Sequence, residues 1–385
     1  MNVTCDKELL LGSLNLVGRA VSTRSTKPIL ECVLITAYVN EGITLCGNDL
    51  EMSIATNVIP CEVAVAGSVA LDAKLFTDIV RKMPGDFVTI ETDEKNLTLV
   101  KSARAKLKIA GQPGDEFPVV SEEEMKKVST RFRLGSVVLR DMIRQTIFSV
   151  SLDQSKIILT GELFDIKDGE LRVVGLDLFH VSYRMAKLVS AHESADLMSA
   201  VIPAKALSEL SRVLPSEDEQ FVDFYFTDKR VVFETEGFIF VSRLLEGEFI
   251  KYEHAFNEDF STLLVVGRAA MIGALERAML LATAEKRKSP ITLDIKDDEL
   301  TLSVVEERGQ FHEELPCHTD GKDLIICFNP QYMINVLRAI EEEEVMIKFV
   351  GQKSPCIIRG KRDNDTGTAM PDDHKYMIMP LRPPV

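Results

Sequence analysis

The chain has 385 residues, of which 45% are hydrophobic, and a net charge of −15. This length favours two or three domains, and the apolar content excludes a disordered chain. No apolar run approaches the roughly 18 residues that a membrane span requires. The total charge argues against nucleic acid, because phosphates bind basic surfaces. The distribution of charge along the chain therefore decides that question.

The N-terminus and the cysteines predict a cytoplasmic protein. The opening residues MNVTCDKELL lack the basic and then apolar stretches of a secretion signal. The seven cysteines are scattered, odd in number and without a CxxC pair. Free thiols in a reducing compartment fit this pattern better than a disulfide framework or a zinc site.

Apolar residues at helical spacing predict six helices. In chain order they cover residues 5–24, 72–84, 136–150, 203–214, 267–288 and 329–340. The apolar face expected for the second helix comprises Leu75, Phe76, Ile79, Val80 and Met83. Its other face carries Lys74, Asp78, Arg81 and Lys82. Strand-like runs precede and follow the helices.

One phrase of the chain recurs. The segment AKLFTDIVRKMP, which starts at Ala73, returns as AKALSELSRVLP from Ala204, and a third copy is FNPQYMINVLRAI around Arg338. Helices that start near Cys5, Leu134 and Val265 form a second recurring set. These repeats predict an α+β chain of three similar domains, each built from two helix-plus-sheet halves. The expected domains are residues 1–120, 129–252 and 260–385.

Charge is segregated between helices and the rest of the chain. The predicted helices hold 16 Lys and Arg residues against 8 Asp and Glu residues, although the whole chain has a net charge of −15. Glutamate forms helices as well as lysine does, so helix propensity does not account for the difference. Basic faces on equivalent helices indicate one surface that binds a polyanion.

The sequence contains no catalytic or metal-binding motif of a known kind. Phosphate-binding glycine loops, the GxSxG nucleophile motif and the HExxH zinc motif are all missing. The segment FHEELPCH, from Phe311 to His318, holds possible metal ligands, but it reads better as a strand followed by a turn at Pro316. The sequence therefore predicts no enzyme, no metal and no cofactor.

Five motifs are distinctive, four in the first expected domain and one at the end of the third: STKPILECVLI, LCGNDLEMSI, AKLFTDIVRKMP, KIAGQPGDEFP and YMIMPLR. Together they resemble the bacterial DNA sliding clamp, the beta subunit of DNA polymerase III, over the range from Met1 to Arg382. The resemblance implies a non-catalytic ring, closed head to tail by two copies of the chain, with helices lining the hole. Such a ring encircles duplex DNA without reading its sequence and makes the replicative polymerase processive.

The resemblance places Arg24 in a loop where a clamp arginine contacts DNA. The helix faces add further candidates for phosphate contact, and any of these could instead form an intramolecular ion pair. These candidates are Lys74, Arg81, Lys82, Arg140, Arg144, Lys205, Arg212, Arg277 and Arg338.

The resemblance also implies an apolar groove that binds short linear motifs of the polymerase, the clamp loader and repair proteins. The matching positions are Lys156, Leu159, Leu176, Val181, Ile250, Ala255, Met377, Met379, Pro380, Leu381 and Arg382. Pro380 is expected to end the last strand and to leave Met379 and Leu381 free to line the groove. The chain departs from the family at His180, which replaces an arginine, and at the bulkier Leu178 and Phe179. It also extends beyond the family tail by Pro383–Val385.

Complementary charge predicts the contact between the two copies. The segment 97–111 is basic, whereas the segment 291–315 holds eight acidic residues against Lys296 and Arg308. The expected contact residues are Lys101, Arg104, Lys106, Lys108, Asp297, Asp298, Glu299, Glu306 and Glu307.

Two alternatives belong to other functional classes. An enzyme that uses clefts between domains would need a clustered acid–base set, which the sequence lacks. A scaffold that binds only proteins would never contact DNA, and the helix-face arginines would then be dispensable.

Overall fold

The computed structural model describes residues 1–121, 125, 130–191, 198–217, 219–256, 259–282, 289–362 and 374–382. Three features of the sequence analysis lie outside the described residues. They are most of the charged segment 121–130, the end of the fifth predicted helix after residue 282, and the extension 383–385. Within them, no helix is long and apolar enough to cross a membrane.

Each predicted helix is confirmed, with shorter bounds. The helices are α1 Lys7–Val17, α2 Ala73–Lys82, α3 Ser136–Thr146, α4 Ala204–Val213, α5 Arg268–Ala282 and α6 Pro330–Ala339. Single 3₁₀ turns, Gly18–Ala20 and Ile147–Ser149, continue α1 and α3. Carboxylate and amide caps fix three helix starts, because Asp6, Asp72 and Asn329 accept hydrogen bonds from backbone N–H groups of the first turn.

The expected apolar face of α2 is wrong at one position. Ala73, Phe76, Ile79 and Val80 are buried, whereas Leu75 is 49% exposed. The buried residues recur at three- and four-residue intervals, and Leu75 falls outside that stripe. An apolar residue next to the stripe is therefore left in solvent beside the basic side chains.

The strands are short and numerous. Before α3 they are β1 Asn2–Asp6, β2 Cys32–Tyr38, β3 Gly42–Asn48, β4 Met52–Thr56, β5 Glu62–Val65, β6 Gly67–Asp72, β7 Phe87–Thr92, β8 Leu97–Ser102, β9 Ala105–Ala110, β10 Gln112–Pro113 and β11 Phe132–Gly135. Between α3 and α5 they are β12 Gly161–Lys167, β13 Glu170–Leu176, β14 His180–Lys187, β15 Ser190–Ala191, β16 Met198–Pro203, β17 Phe221–Phe226, β18 Arg230–Glu234, β19 Phe238–Arg243 and β20 Thr262–Gly267. After α5 they are β21 Ile291–Lys296, β22 Glu299–Glu306, β23 Gly309–Gly321, β24 Leu324–Phe328, β25 Glu344–Phe349, β26 Cys356–Gly360 and β27 His374–Ile378.

The predicted repeat is confirmed as a strand–helix–strand unit. Strands β6, β16 and β24 lead into α2, α4 and α6, and these helices lead into β7, β17 and β25. Helices α1, α3 and α5 occupy the corresponding places in the other half of each domain. The chain therefore contains three pseudo-repeated α+β domains, each with two helix-plus-sheet halves.

By contact density, the described residues fall into two compact units. The first comprises described parts of Met1–Val137, Val189–Ala195 and Lys205–Leu244. It holds a five-stranded sheet of order β5-β1-β7-β8-β9 and a ten-stranded sheet of order β10-β6-β2-β3-β4-β19-β18-β17-β11-β15. Helices α1 and α2 pack against each other, and α1 also covers β3 and β4.

The second unit comprises described parts of Val138–Leu188, Asp196–Ala204 and Leu245–Val385. Its sheet has twelve strands in the order β16-β12-β13-β14-β27-β26-β25-β20-β23-β22-β21-β24. Helices α5 and α6 pack against each other over a large apolar core that includes Leu275, Phe328, Leu337 and Tyr376.

The turn predicted at Pro316 is wrong. Strand β23 continues through Pro316 to Gly321 and changes partner there, from β22 to β20. Proline cannot donate a ladder hydrogen bond, and at this position the strand passes from one neighbour to the next.

Each unit contains a sheet junction between strands that are far apart in the chain. In the first unit, β4 pairs antiparallel with β19, with Ile54 opposite Phe240. In the second unit, β14 pairs antiparallel with β27, with Ser182 opposite Tyr376. In both cases a strand from the first half of one repeat extends the sheet of the second half of the next repeat.

Candidate functional site

The predicted DNA-binding residues lie where the sequence placed them, in or beside the helices. Arg24 is exposed in the segment between the 3₁₀ turn after α1 and the 3₁₀ turn Pro28–Glu31. Lys74, Arg81 and Lys82 are exposed on α2. The remainder lie on the other helices: Arg140 and Arg144 on α3, Lys205 and Arg212 on α4, Arg277 on α5 and Arg338 on α6.

Many of these cations form intramolecular ion pairs. Arg81 contacts Asp78 at 2.6 Å, Lys205 contacts Asp49 at 2.6 Å, and Arg338 contacts Glu276 at 2.7 Å. Arg144 pairs with Asp141 and Glu341, and Arg212 pairs with Glu209. The sequence shows the charges, but it does not show which carboxylate meets which cation.

Arg277 has the most complete pairing of this set. Its Nε and Nη2 atoms donate to both carboxylate oxygens of Glu313 on β23, at 2.8 and 2.5 Å. These hydrogen bonds hold the pKa of Glu313 below its ordinary value and raise the pKa of Arg277. A bidentate pair of this kind orients the guanidinium toward Glu313, so a phosphate would have to compete with this carboxylate for Arg277.

A cleft of about 820 Å³ lies in the first unit, between the end of α1 and the start of α2. Arg19, Lys74 and Arg81 line it together with Asp72 and Asp78. The mixture of both charges does not resemble a dedicated anion site. The cleft instead gives the basic side chains of α2 access to solvent.

Six of the eleven predicted groove residues meet in one apolar cluster of the second unit. Leu159, Leu176, Val181 and Met377 are buried in it. Ala255 and Met379 pack against it, and Ile250 is 48% exposed nearby in the chain. The exposed Lys156 lies in the turn segment that carries Leu159. We name this cluster, with Met379, the groove.

Aromatic side chains that the sequence analysis missed contribute to the groove. Tyr183, Tyr252 and Phe256 belong to the same cluster, with ring centroids of Tyr183 and Tyr252 at 5.9 Å. Tyr252 donates its hydroxyl hydrogen to Asp165, and burial raises the pKa of Tyr252 well above its ordinary value. The aromatic residues on both sides of Ala255 were the signal available in the sequence.

The expectation that the last strand ends before Pro380 is confirmed, and backbone hydrogen bonds hold the residues on either side of the proline. Strand β27 ends at Ile378, but Met379 N–H donates to the Phe179 carbonyl at 2.7 Å, and Leu381 N–H donates to the Cys327 carbonyl at 2.7 Å. Proline removes only its own donor, so the residues on either side remain tethered. The backbone of residues 379–381 is therefore held in place by hydrogen bonds to two other segments.

Asp177 forms hydrogen bonds with two of the residues that depart from the family pattern, Phe179 and His180. Its Oδ1 atom accepts hydrogen bonds from the backbone N–H groups of Phe179 and His180 and lies 2.7 Å from His180 Nδ1. Burial opposes ionisation, but the hydrogen bonds from His180 and Phe179 hold the pKa of Asp177 below its ordinary value. His180 is buried and stacks on Tyr332 at 4.2 Å, whereas Leu178 and Phe179 stay exposed.

The predicted contact residues of the two copies lie at two sheet borders. Lys101, Arg104, Lys106 and Lys108 belong to the hairpin of β8 and β9, and β9 is the last strand of its sheet. Lys101 is paired with Glu91. On the acidic side, Asp297, Asp298 and Glu299 lie at one end of β22, and Glu306 and Glu307 lie at the other.

Strands β22 and β23 form a hairpin, here called the acidic hairpin. Its unpaired edge among the described residues is on β23 rather than on β22. Strand β22 is paired on both sides, whereas the first half of β23 pairs with β22 alone among the described residues. His312 and Glu314 are exposed on this edge. Two exposed apolar side chains were not predicted from the sequence: Val305 on β22 is 64% exposed, and Leu280 near the end of α5 is 76% exposed.

Across the described part of the chain, no three His, Cys, Asp or Glu side chains are grouped so as to hold a metal ion. The segment from Phe311 to His318 instead supplies strand β23, in which successive side chains point to opposite faces.

Comparison with known proteins agrees with this architecture. Three family models match in order: the N-terminal, central and C-terminal domains of the DNA polymerase III beta subunit, over residues 1–121, 133–251 and 253–382. A beta sliding clamp from Halalkalibacterium halodurans is 32% identical over 369 residues, which cover 93% of this chain and 95% of the relative. One from Staphylococcus epidermidis is 32% identical and covers 99% of both.

Solved structures resemble the chain over its whole length. A putative DNA polymerase III beta subunit from Eubacterium rectale has a TM-score of 0.89 and 37% identity, and the match covers 99% of both chains. The DNA polymerase sliding clamp from Bacillus subtilis has a TM-score of 0.91 and 30% identity, again over 99% of both. The chain belongs to the family of the bacterial DNA polymerase III beta subunit, the beta sliding clamps.

Proposed function

We propose that this protein is a sliding clamp that encircles duplex DNA and tethers the replicative polymerase for processive synthesis. The observation that carries the proposal is the threefold repeat of α+β domains with basic helix faces, in a chain that matches beta sliding clamps from end to end. The protein is an accessory factor without a reaction of its own. Phosphate contacts from Lys and Arg suit sliding, because they do not read bases.

The repeated sheet junction supports closure of a ring by two copies. Junctions β4–β19 and β14–β27 join equivalent strands of successive repeats. The strands left without such a partner among the described residues are β9 and the first half of β23. We propose that β9 of one copy pairs with β23 of the other, head to tail. Pairing would also cover edges that otherwise invite aggregation.

Charge complementarity favours the same contact. Strand β9 presents Lys106 and Lys108, and the facing hairpin presents Glu314 with Glu306 and Glu307 at its turn. The predicted residues Asp297, Asp298 and Glu299 would flank the other end of this seam. Exposed Leu107, Leu280 and Val305 supply apolar area at the two borders.

For DNA contact we propose the predicted set, led by Arg24, Lys74 and Lys82. These three are exposed and, within the described residues, have no carboxylate partner. For partner binding we propose the groove, whose methionines adapt to different peptides. The polymerase, the clamp loader and repair proteins would each insert a short linear motif there.

We further propose that the domains are residues 1–120, 129–252 and 260–385, which the three family-model matches support. A cytoplasmic location fits a replication factor whose seven cysteines are all free thiols.

A ring on circular DNA should be retained by topology rather than by charge. After loading onto a nicked circle with a clamp loader, the protein should stay bound when the salt concentration is raised, and it should leave rapidly once the circle is cut. Phosphate contacts alone weaken steeply with salt, by roughly a thousandfold or more between 50 and 200 mM when several are made. Loss from the intact circle at moderate salt, after confirmed loading, would mean ordinary electrostatic binding; the ring would then be abandoned and the protein-only scaffold considered again.

Substitution of the exposed Ile250 by aspartate should weaken peptide binding without unfolding the protein. A charge placed at the groove must be desolvated when an apolar motif inserts, so affinity should fall about tenfold to a hundredfold. Fluorescence anisotropy with a labelled polymerase tail peptide measures the effect. Val65→Asp is the matched control, because Val65 is 53% exposed on β5, outside the groove. Equal loss in both variants would contradict the assignment.

A further inference from the structure

The basic helix faces carry carboxylates that already occupy several of their arginines. On α2, Arg81 Nη1 lies 2.6 Å from Asp78 Oδ1, and the two side chains are 49% and 52% exposed. Between α6 and α5, Arg338 Nη2 lies 2.7 Å from Glu276 Oε1, with exposures of 60% and 48%. Both pairs are open to solvent, so a phosphate group could reach either arginine.

Glu209 on α4 engages two arginines at once. Its Oε1 atom accepts from Arg212 at 2.5 Å, and its Oε2 atom accepts from Arg19, in the turn after α1, at 3.1 Å. Glu209 is only 19% exposed, whereas Arg212 is 57% exposed. The carboxylate is therefore fixed beneath two outward cations, and a phosphate would compete with it for both.

Lys205 shows a different arrangement. It contacts Asp49, which is 6% exposed and also accepts hydrogen bonds from the backbone N–H groups of Glu51 and Met52. Asp49 shapes the turn between β3 and β4, so its removal would disturb the fold.

Resting on the proposed function, we infer that Asp78, Glu209 and Glu276 set how tightly the clamp holds DNA. Each carboxylate competes with a phosphate for its arginine, so the arginine contributes to binding only after its internal partner is displaced. Exposed ion pairs are weak and exchange readily, so they weaken phosphate contact without abolishing it. A weak hold of this kind allows the clamp to move along the duplex while it remains linked to it.

The inference predicts a gain of affinity on removal of a carboxylate. Asp78→Asn, Glu209→Gln and Glu276→Gln should each bind a short linear duplex about two- to tenfold more tightly at low salt. The slope of log K against log salt should steepen by roughly one for each arginine released. On long DNA, single-molecule tracking should show a lower diffusion coefficient for the triple variant.

The matched control removes the carboxylate partner of an arginine that lies on a strand instead of a helix. Arg133 on β11 is 47% exposed and contacts Asp223 on β17 at 2.6 Å, so Asp223→Asn makes the same change of charge on a sheet. Tighter binding by the helix variants, with Asp223→Asn unchanged, supports the inference. Equal tightening in Asp223→Asn would show that net charge alone acts, and unchanged binding by the helix variants would show that the pairs are inert. Either result overturns the inference.

The retention test on circular DNA shows whether the proposed function itself fails, independently of the affinities of the carboxylate variants. The wild-type protein would then leave an intact circle at moderate salt, whatever the carboxylate variants do on short duplexes. Thermal unfolding of each variant confirms that the comparison is made between folded proteins.

Discussion

Replacement of Leu280 by aspartate is expected to convert the proposed homodimer into monomers. Leu280 is 76% exposed at the end of α5, and its neighbour Leu281 approaches Gly309 at the start of β23. A carboxylate there would be buried without a partner when the acidic hairpin meets its counterpart. Central apolar residues of an interface commonly contribute about 2–4 kcal/mol, so the dimer dissociation constant should rise by roughly a hundredfold.

Sedimentation equilibrium over a range of concentrations measures this change. Leu107→Asp tests the other border of the same seam, because Leu107 is 42% exposed on β9. Leu152→Asp is the control, since Leu152 is 92% exposed but lies on neither β9 nor β23, the two strands of the proposed seam. If Leu280→Asp and Leu107→Asp both remain dimeric at nanomolar concentration, the seam is elsewhere. The monomeric variants should also fail to stay on circular DNA.

A buried carboxylic acid is expected to make the stability of the protein fall as the pH rises. Glu162 on β12 is fully buried, and its Oε1 atom accepts a hydrogen bond from the Thr146 hydroxyl. Burial raises the pKa of Glu162 from 4.5 to about 8. The stabilisation is therefore complete below the unfolded-state pKa and is lost as the pH rises through the folded-state pKa. Between pH 6 and pH 9 the free energy of unfolding should fall by roughly 2–3 kcal/mol.

Urea unfolding across that pH range, for the wild type and for Glu162→Gln, isolates this contribution. Glutamine can still accept the hydrogen bond from Thr146, but it does not ionise, so its profile should be flatter by the same amount. Glu162→Leu removes both the ionisation and the acceptor, and it separates the effect of charge from that of the hydrogen bond. Parallel profiles for the wild type and Glu162→Gln would mean that the folded protein binds no extra proton at Glu162, so that this carboxyl is already ionised over the whole range.

Local patterns in the chain predicted much of the fold. The copies of AKLFTDIVRKMP correspond to helices between strands, and Pro330 after Asn329 marks the start of α6. Helical spacing, capping residues and repeats are properties of neighbouring residues, so they are visible without tertiary structure. Two predictions failed because they depend on tertiary packing. Leu75 was expected to be buried and is exposed, and Pro316 was expected in a turn but lies in β23, where the strand changes partner.

The sequence by itself determined the three repeats and the excess of basic residues in the helices, and its resemblance to the sliding clamps supplied six residues of the apolar cluster. Only the tertiary structure decided that Arg277 is held by Glu313, that His180 stacks on Tyr332, and that Glu162 is buried against the Thr146 hydroxyl. It also decided that the free edge of the acidic hairpin is β23 rather than β22. Each of these outcomes depends on which segments meet across long separations in the chain, and burial and charge pairing arise only from those meetings.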